Sequence, residues 1–428
     1  MNIHIEHQQT SNGWMVYLCR QVDLPIFSLR MYLSGGTLLD PATKIGCTRL
    51  TNLLFLRHLH ETGDDLIIGG DIALGTTSQY RLLSIDSLCE DLPSILQWVA
   101  QGLQTFTPKT EDLTHLKFLA EQDILYGRDH ADVLGSWMLQ ELYYGKEHPL
   151  QLGAQGSLET IAKITLDDAK TTYAKMQDNH SGTLIFVGDY TMDNLCAQIE
   201  HYLPPVFSQP EVQIPSPNPS FGHYMVDKQE TSQVDIKILL PTVSSLHHRY
   251  WPMEMGVVVL GGMFRSRLNT ALRIDSGLTY GVGASLSCNT YFGHLLITTS
   301  VETSRVDLAL KKCEQIINTC DQNWTVEEFN TTKQHFSQRL VEIQSSNSSI
   351  AEFLENWWLE GRDLRTLTTV LAQTQKVTLQ EIINSMSLLR HARRLIILSG
   401  PTNGISAQIK TPLTAVHPTK LKQGALDV

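Results

Sequence analysis

Thr165-Leu166-Asp167-Asp168 starts a helix that leads to the apolar run Thr183-Leu184-Ile185-Phe186-Val187 and a turn at Gly188-Asp189. The same grammar returns at Thr378-Leu379-Gln380-Glu381, leading to Arg394-Leu395-Ile396-Ile397-Leu398 and a turn at Ser399-Gly400-Pro401. A segment that recurs in order and by residue type points to an internal repeat, so the search moves outward for further pairs. Upstream of the first copy, 91–106 carries apolar residues at helical spacing, and 110–125 begins a second helix with Thr110 as N-cap and acidic residues in its first turn. Upstream of the second copy, 306–320 is amphipathic, and 325–340 opens with Thr325, Glu327 and Glu328. Each half begins with strands: 14–20 and 26–34 in one, 233–240 in the other. The first half adds a helix near 192–202 that has no counterpart in the second.

Between the halves lie Pro204, Pro205, Pro210, Pro215, Pro217 and Pro219 with no hydrophobic periodicity, the composition of a linker. The division expected is 1–204, a linker over 205–221, and 222–428. Strand pairs and helix runs are grouped rather than strictly alternating, which predicts an α+β fold: two homologous domains, each a mostly antiparallel sheet packed with helices.

The chain is 428 residues long with 42% hydrophobic content, enough for two or more cores. A formal net charge of -11 argues against nucleic-acid backbones and favours cationic or neutral partners. Seven scattered cysteines without a Cys-x-x-Cys pair read as buried apolar residues in a reducing compartment. His4, Glu6 and His7 stand where a signal peptide needs a basic start and an apolar run, and no stretch approaches the roughly 20 apolar residues of a membrane span. The expected location is the cytoplasm, with no membrane partner.

Tyr143-Tyr144-Gly145-Lys146-Glu147-His148-Pro149-Leu150, then Gly153, Gly156 to Ile161, Leu166-Asp167-Asp168 and Leu184 to Asp189, form a succession of separated elements. Leu260-Gly261-Gly262-Met263-Phe264, Ser266-Arg267-Leu268, Leu272-Arg273 and Gly277-Leu278-Thr279-Tyr280 form a second. Together they resemble the M16 metallopeptidases, the pitrilysin and mitochondrial processing peptidase-like family, over nearly the whole chain. The resemblance implies the LuxS/MPP-like metallohydrolase fold and a cavity, enclosed by two such chains, in which a peptide is cut.

A catalytic member carries His-x-x-Glu-His near its N-terminus: two imidazoles one helical turn apart bind zinc, and the glutamate between them takes a proton from the bound water. Here Arg49 stands for the first histidine, Asn52 for the glutamate and Leu53 for the second histidine. A guanidinium repels a dication, leucine has no lone pair, and an amide is not basic enough to activate water. The downstream glutamate ligand falls near Gly127, with Glu121 as the other candidate. No metal is expected in this chain. His58, His60 and Glu61 read as helix-end residues rather than a displaced site, because His58 and His60 point to different sides of a helix. His247-His248 reads as loop.

Arg273 and Tyr280 remain at the positions of the family's second-domain pair. There the resemblance implies an arginine fork on a substrate carbonyl and a phenol donating to the scissile oxygen. The alternative reading is a helix-end cation and a half-buried strand tyrosine, and Gly277 suits a tight turn under either. The edge strand around Gly69, Gly70, Asp71, Ile72 and Ala73 is the second candidate for peptide binding. Trp357-Trp358 reads as core or interface, Arg265 and Arg267 as solvated loop charges. The expected function is the non-catalytic, substrate-binding subunit of a heterodimeric zinc peptidase acting on small peptides, in precursor maturation for example, and inactive alone. Zinc belongs to a homologous partner carrying His-x-x-Glu-His. The alternative is a proteolytically inactive scaffold or peptide-binding subunit.

Overall fold

The structure is a computed structural model that describes residues 4–63, 71–178, 181–207, 213–229, 231–401 and 414–415. The first half holds strands β1 (Ile5–Gln9), β2 (Met15–Arg20), β3 (Ile26–Ser34), β4 (Asp71–Thr76), β5 (Tyr80–Leu88) and β6 (Gly182–Gly188). Its helices are α1 (Cys47–Thr62), α2 (Leu92–Thr105), α3 (Thr110–Asp129), α4 (Ala131–Tyr144), α5 (Leu158–Ala162), α6 (Leu166–Asp178) and α7 (Met192–Tyr202). The second half holds β7 (Gly222–Asp227), β8 (Gln233–Thr242), β9 (Val282–Cys288), β10 (Gly293–Glu302), β11 (Leu395–Gly400) and β12 (Thr414–Ala415). Its helices are α8 (Tyr250–Val257), α9 (Arg267–Asn269), α10 (Val306–Asn318), α11 (Val326–Glu342), α12 (Asn347–Leu359), α13 (Leu367–Thr374) and α14 (Leu379–His391).

The strands form two sheets, ordered β1-β2-β6-β3-β5-β4 and β12-β7-β11-β8-β10-β9. From the second strand on, the two orders match. β2 is parallel to β6 as β7 is to β11, and the antiparallel runs β6-β3-β5-β4 and β11-β8-β10-β9 follow. The repeat read from the sequence is thus a repeat of topology. Each sheet is mixed because β6 and β11 return after helices and enter between two earlier strands, parallel to one and antiparallel to the other.

Period-two alternation divides the faces of each central strand. On β3, Phe27, Leu29, Met31 and Leu33 enter the core beneath α1 and α2. Tyr32, on the opposite face, packs with Ile350, Leu354 and Trp357 of α12 from the other half. On β8, Val234, Ile236, Ile238 and Leu240 enter the second core. Leu239 meets Leu134, Met138 and Leu139 of α4 from the first half. Each half therefore lends one helix to the other's sheet. The polar residues on these faces are internal: Arg30 pairs with Asp86 at 3.2 Å and with Glu355 of α12 at 3.2 Å, and Lys237 pairs with Asp235 at 2.6 Å.

One expectation needs correction, and one segment is more closely held than its composition indicates. Lys109 is the N-cap of α3, in extended conformation and without a side-chain cap, while Thr110 is the first helical residue. The proline-rich segment is docked where it is described. Its Asn218 and Ser220 N–H groups donate to the carbonyls of Tyr144 and Leu142, and Val206 and Ile214 are buried. His148 secures it: Nδ1 accepts the Leu150 N–H, which leaves the proton on Nε2 to donate to Pro215 O at 2.9 Å. Proline removes donors but not carbonyls, so the segment can be held without a ladder.

Candidate functional site

α1 is fixed at its start by Asp40, whose carboxylate accepts the Gly46 and Thr48 N–H groups at 2.8 and 2.7 Å. Gly46 has φ 102, a left-handed conformation natural to glycine. Three positions of this helix correspond to the family's metal motif. Arg49 points at Asp123 of α3, with Nη2 3.6 Å from the carboxylate. Asn52 is buried and its amide donates to Thr76 Oγ1 on β4 at 2.9 Å, tying the helix to the edge strand. Leu53 is partly buried. At Gly127 a Cβ would stand 2.5 Å from the Trp137 ring, so no glutamate side chain fits. Glu121 is partly buried and belongs to no group of three or more His, Cys, Asp or Glu able to hold a metal among the described residues.

These residues do not fit a zinc ion. A guanidinium, an amide engaged elsewhere, an isobutyl group and a closed glycine supply no set of three lone-pair donors. Among the described residues no group of three or more His, Cys, Asp or Glu is placed to hold a metal. Ion pairs join the same two helices instead, since Arg57 also meets Asp112 at 2.9 Å. The neighbouring histidines are engaged or exposed. His58 Nε2 lies 3.1 Å from Thr105 Oγ1 with its pKa pushed down by burial, His60 is exposed, and Glu61 binds Lys109 at 2.8 Å.

The second-domain pair is arranged differently. Arg273 lies in a π-helical turn, Thr270–Ile274, and its guanidinium sits 5.0 Å from the Phe264 ring centroid. Gly277, at φ +55, ends the turn: its N–H donates to Arg273 O, and the Leu278 N–H reverses to Leu272 O. Leu278 is buried, which anchors the reversal. Tyr280 follows at 88% exposure, neither half-buried nor within a strand. Its neighbours are held, because Thr299 Oγ1 lies 3.0 Å from Thr279 Oγ1 and donates to Gly281 O at 2.9 Å. The phenol therefore stands on a fixed backbone and is exposed to solvent, as are Phe264 and Ile274.

β4 is the edge of the first sheet among the described residues, so Asp71, Ile72 and Ala73 lie on a strand whose one described partner is β5. Gly69 and Gly70 lie outside the described residues. Arg267 is not a solvated loop charge. It makes a two-point pair with Glu328 at 2.7 and 3.0 Å and lies over Trp324. Trp357 is buried at the junction of the halves, stacked on Trp251.

One feature had no signal in the sequence. α8 follows β8 as α1 follows β3, and beside α8 lies a cavity of about 570 Å³ lined in part by Glu254, Glu360 and Arg362. Residues brought together from a helix and from the turn after α12 show no linear spacing. Burial, with Glu360 adding to it and Arg339 and Arg362 opposing, pushes the Glu254 carboxyl up to about 7. A carboxyl that binds its proton more tightly when folded favours the folded state at low pH. Its contribution is complete below the unfolded value of 4.5 and is lost as pH rises through about 7. Glu254→Gln should therefore flatten the loss of thermal stability between about pH 5 and pH 7. Melting temperatures of both proteins across that range check it.

Two α+β halves of one topology, with a helix whose motif positions Arg49, Asn52 and Leu53 offer no metal ligands, define a metallopeptidase-type scaffold in which no group of three or more His, Cys, Asp or Glu is placed to hold a metal among the described residues. Residues 163–336 match the family model described as the peptidase M16 inactive domain. The chain is 23% identical over 384 residues to a Helicobacter pylori protein named non-peptidase homolog YmxG, covering 84% of this chain and 85% of that one. It is 22% identical over 317 residues to a Bacillus subtilis protein named uncharacterized zinc protease YmxG, covering 74% and 77%. It superposes with a TM-score of 0.80 and 20% identity on the crystal structure of a peptidase M16 inactive domain from Pseudomonas fluorescens, covering 95% of this chain and 100% of that one. Over residues 163–336 the chain is thus similar to the M16 inactive domain, and over nearly its whole length it shares the fold of that solved structure. No described helix is long and apolar enough to cross a membrane.

Proposed function

We propose that this chain is the non-catalytic, substrate-gripping member of a two-chain M16 peptidase that hydrolyses small peptides. The observation that carries the reading is the contrast between the two ends of the resemblance. The positions for metal are filled by side chains that cannot coordinate, whereas Tyr280 is 88% exposed on a secured backbone with Arg273 in the turn before it. An exposed phenol has no packing role to explain it. Arg273 presents a planar fork suited to a peptide carbonyl, and the Tyr280 hydroxyl donates to an oxygen that gains negative charge as the peptide bond breaks. Neither contact needs a metal on this chain. The side of β4 at Asp71 to Ala73 that pairs with no described strand can add an extended peptide as a further strand. The partner is a homologous chain carrying His-x-x-Glu-His, and zinc is assigned there.

A second reading has its own support, since one relative is named a non-peptidase homolog. On it, the chain is a scaffold or peptide-binding subunit. Purifying the chain alone and together with the homologous chain, then assaying a quenched peptide, separates the two. Hydrolysis by the mixture and by neither chain alone supports the first. A mixture no faster than the partner alone supports the scaffold.

A further inference from the structure

The cavity lies beside α8, the second half's counterpart of α1, and α11 follows α8 in chain order as α3 follows α1. Its walls include Phe336, Phe353 and Leu286. Glu254 is partly buried and faces this space without a hydrogen-bond or ion-pair partner among the described residues. Arg362 also lines it, with a side chain only 8% exposed. One nitrogen of Arg362, Nη1, meets Glu360 at 2.5 Å, and the guanidinium is caged by Tyr250, Trp251 and Trp357 at 4.1, 4.7 and 5.0 Å. Its Nε and Nη2, both buried, have no hydrogen-bond acceptor among the described residues.

An unpaired carboxylate and unpaired guanidinium donors in one cavity are costly unless something completes both. The lining carries four carboxylates, Glu254, Glu342, Glu352 and Glu360, against the two guanidinium groups of Arg339 and Arg362. The excess selects a cation, and the free donors of Arg362 select a neutral acceptor beside it. We propose that this cavity binds a basic residue of a peptide. The ammonium or guanidinium group lies between Glu254 and Glu360, the apolar stem lies along Phe336 and Phe353, and the main-chain carbonyl accepts from Arg362.

The charge of Glu254 makes binding depend on pH. The groups facing it are Tyr250 on its own helix, Arg339 and Glu342 on α11, Glu352 on α12, Glu360 and Arg362 beyond that helix, and Cys288 on β9. A cation binds the ionised form, so affinity rises as pH passes upward through about 7.

Calorimetric titration of the full chain with three probes tests the proposal: N-acetyl-lysine methylamide, its uncharged norleucine analogue, and 1,5-diaminopentane. The lysine probe should bind at least about tenfold more tightly than either of the others, with affinity increasing from pH 6 to pH 8. Glu254→Gln, confirmed as folded by its melting curve, should reduce that affinity about tenfold and remove the pH dependence. Glu360→Gln serves as the second variant should the first not fold. Equal binding of lysine and norleucine probes, no binding of the lysine probe at millimolar concentration, or indifference to both variants overturns the proposal. A diamine as tight as the lysine probe overturns the peptide assignment in favour of a free amine. None of these outcomes involves Arg273 or Tyr280, so this site and the proposed function stand or fall separately.

Discussion

Tyr280→Phe should slow peptide hydrolysis by the two-chain mixture about 10² to 10³-fold while leaving assembly and folding of this chain unchanged. The estimate is the cost of deleting one donor to a developing oxyanion, roughly 3–4 kcal/mol. It applies because the substitution removes one oxygen from a side chain that is 88% exposed and makes no packing contribution that phenylalanine would lose. The rate should fall in kcat rather than rise in KM, since the hydroxyl acts on the oxygen only as charge gathers there. Arg273→Ala should raise KM as well, because a fork on a backbone carbonyl holds the substrate before and during the reaction. If Tyr280→Phe leaves kcat unchanged in an active mixture, the phenol has no part in the chemistry.

Trp357→Ala should destabilise the chain by about 3–5 kcal/mol. Trp357 is 2% exposed and packs in the cluster that joins α12 to Tyr32 of β3 and to Ile185 and Val187 of β6. It also stacks on Trp251 and on the Arg362 guanidinium. Truncation leaves a void at the point where the second half's helix covers the first half's sheet, and a buried charge loses one ring of its cage. Val326→Ala, at a residue 71% exposed, is the matched control and should change stability by no more than about 0.5 kcal/mol. Denaturant midpoints at a common slope give both values, and near-equal effects would mean that α12 does not secure the junction.

The duplicated order was readable because helix starts and strand runs are local: Thr325 with Glu328 and Thr378 with Glu381 form reciprocal caps at the positions the pattern indicated. The exchange of α4 and α12 was not, because nothing near Arg30 in the chain announces Glu355, and Ser28-Leu29-Arg30 reads as a strand with one wet face. Arg267 was misread for the same reason, its carboxylate partner Glu328 lying far along the chain. At the site, the chemical disability of Arg49, Asn52 and Leu53 follows from side-chain type alone. That Asn52 ties α1 to Thr76, and that Trp137 closes Gly127, required the packed structure. The exposure of Tyr280 is likewise tertiary, since Gly277 suits a turn wherever the tyrosine ends.

Metal analysis of the isolated, purified chain after exposure to zinc and removal of loosely held ions is the most direct test. A helix presenting a cation, an amide committed to Thr76 and an alkyl group predicts a metal content far below one zinc per chain. One zinc per chain, retained through dialysis and lost on substitution within α1, would contradict the account.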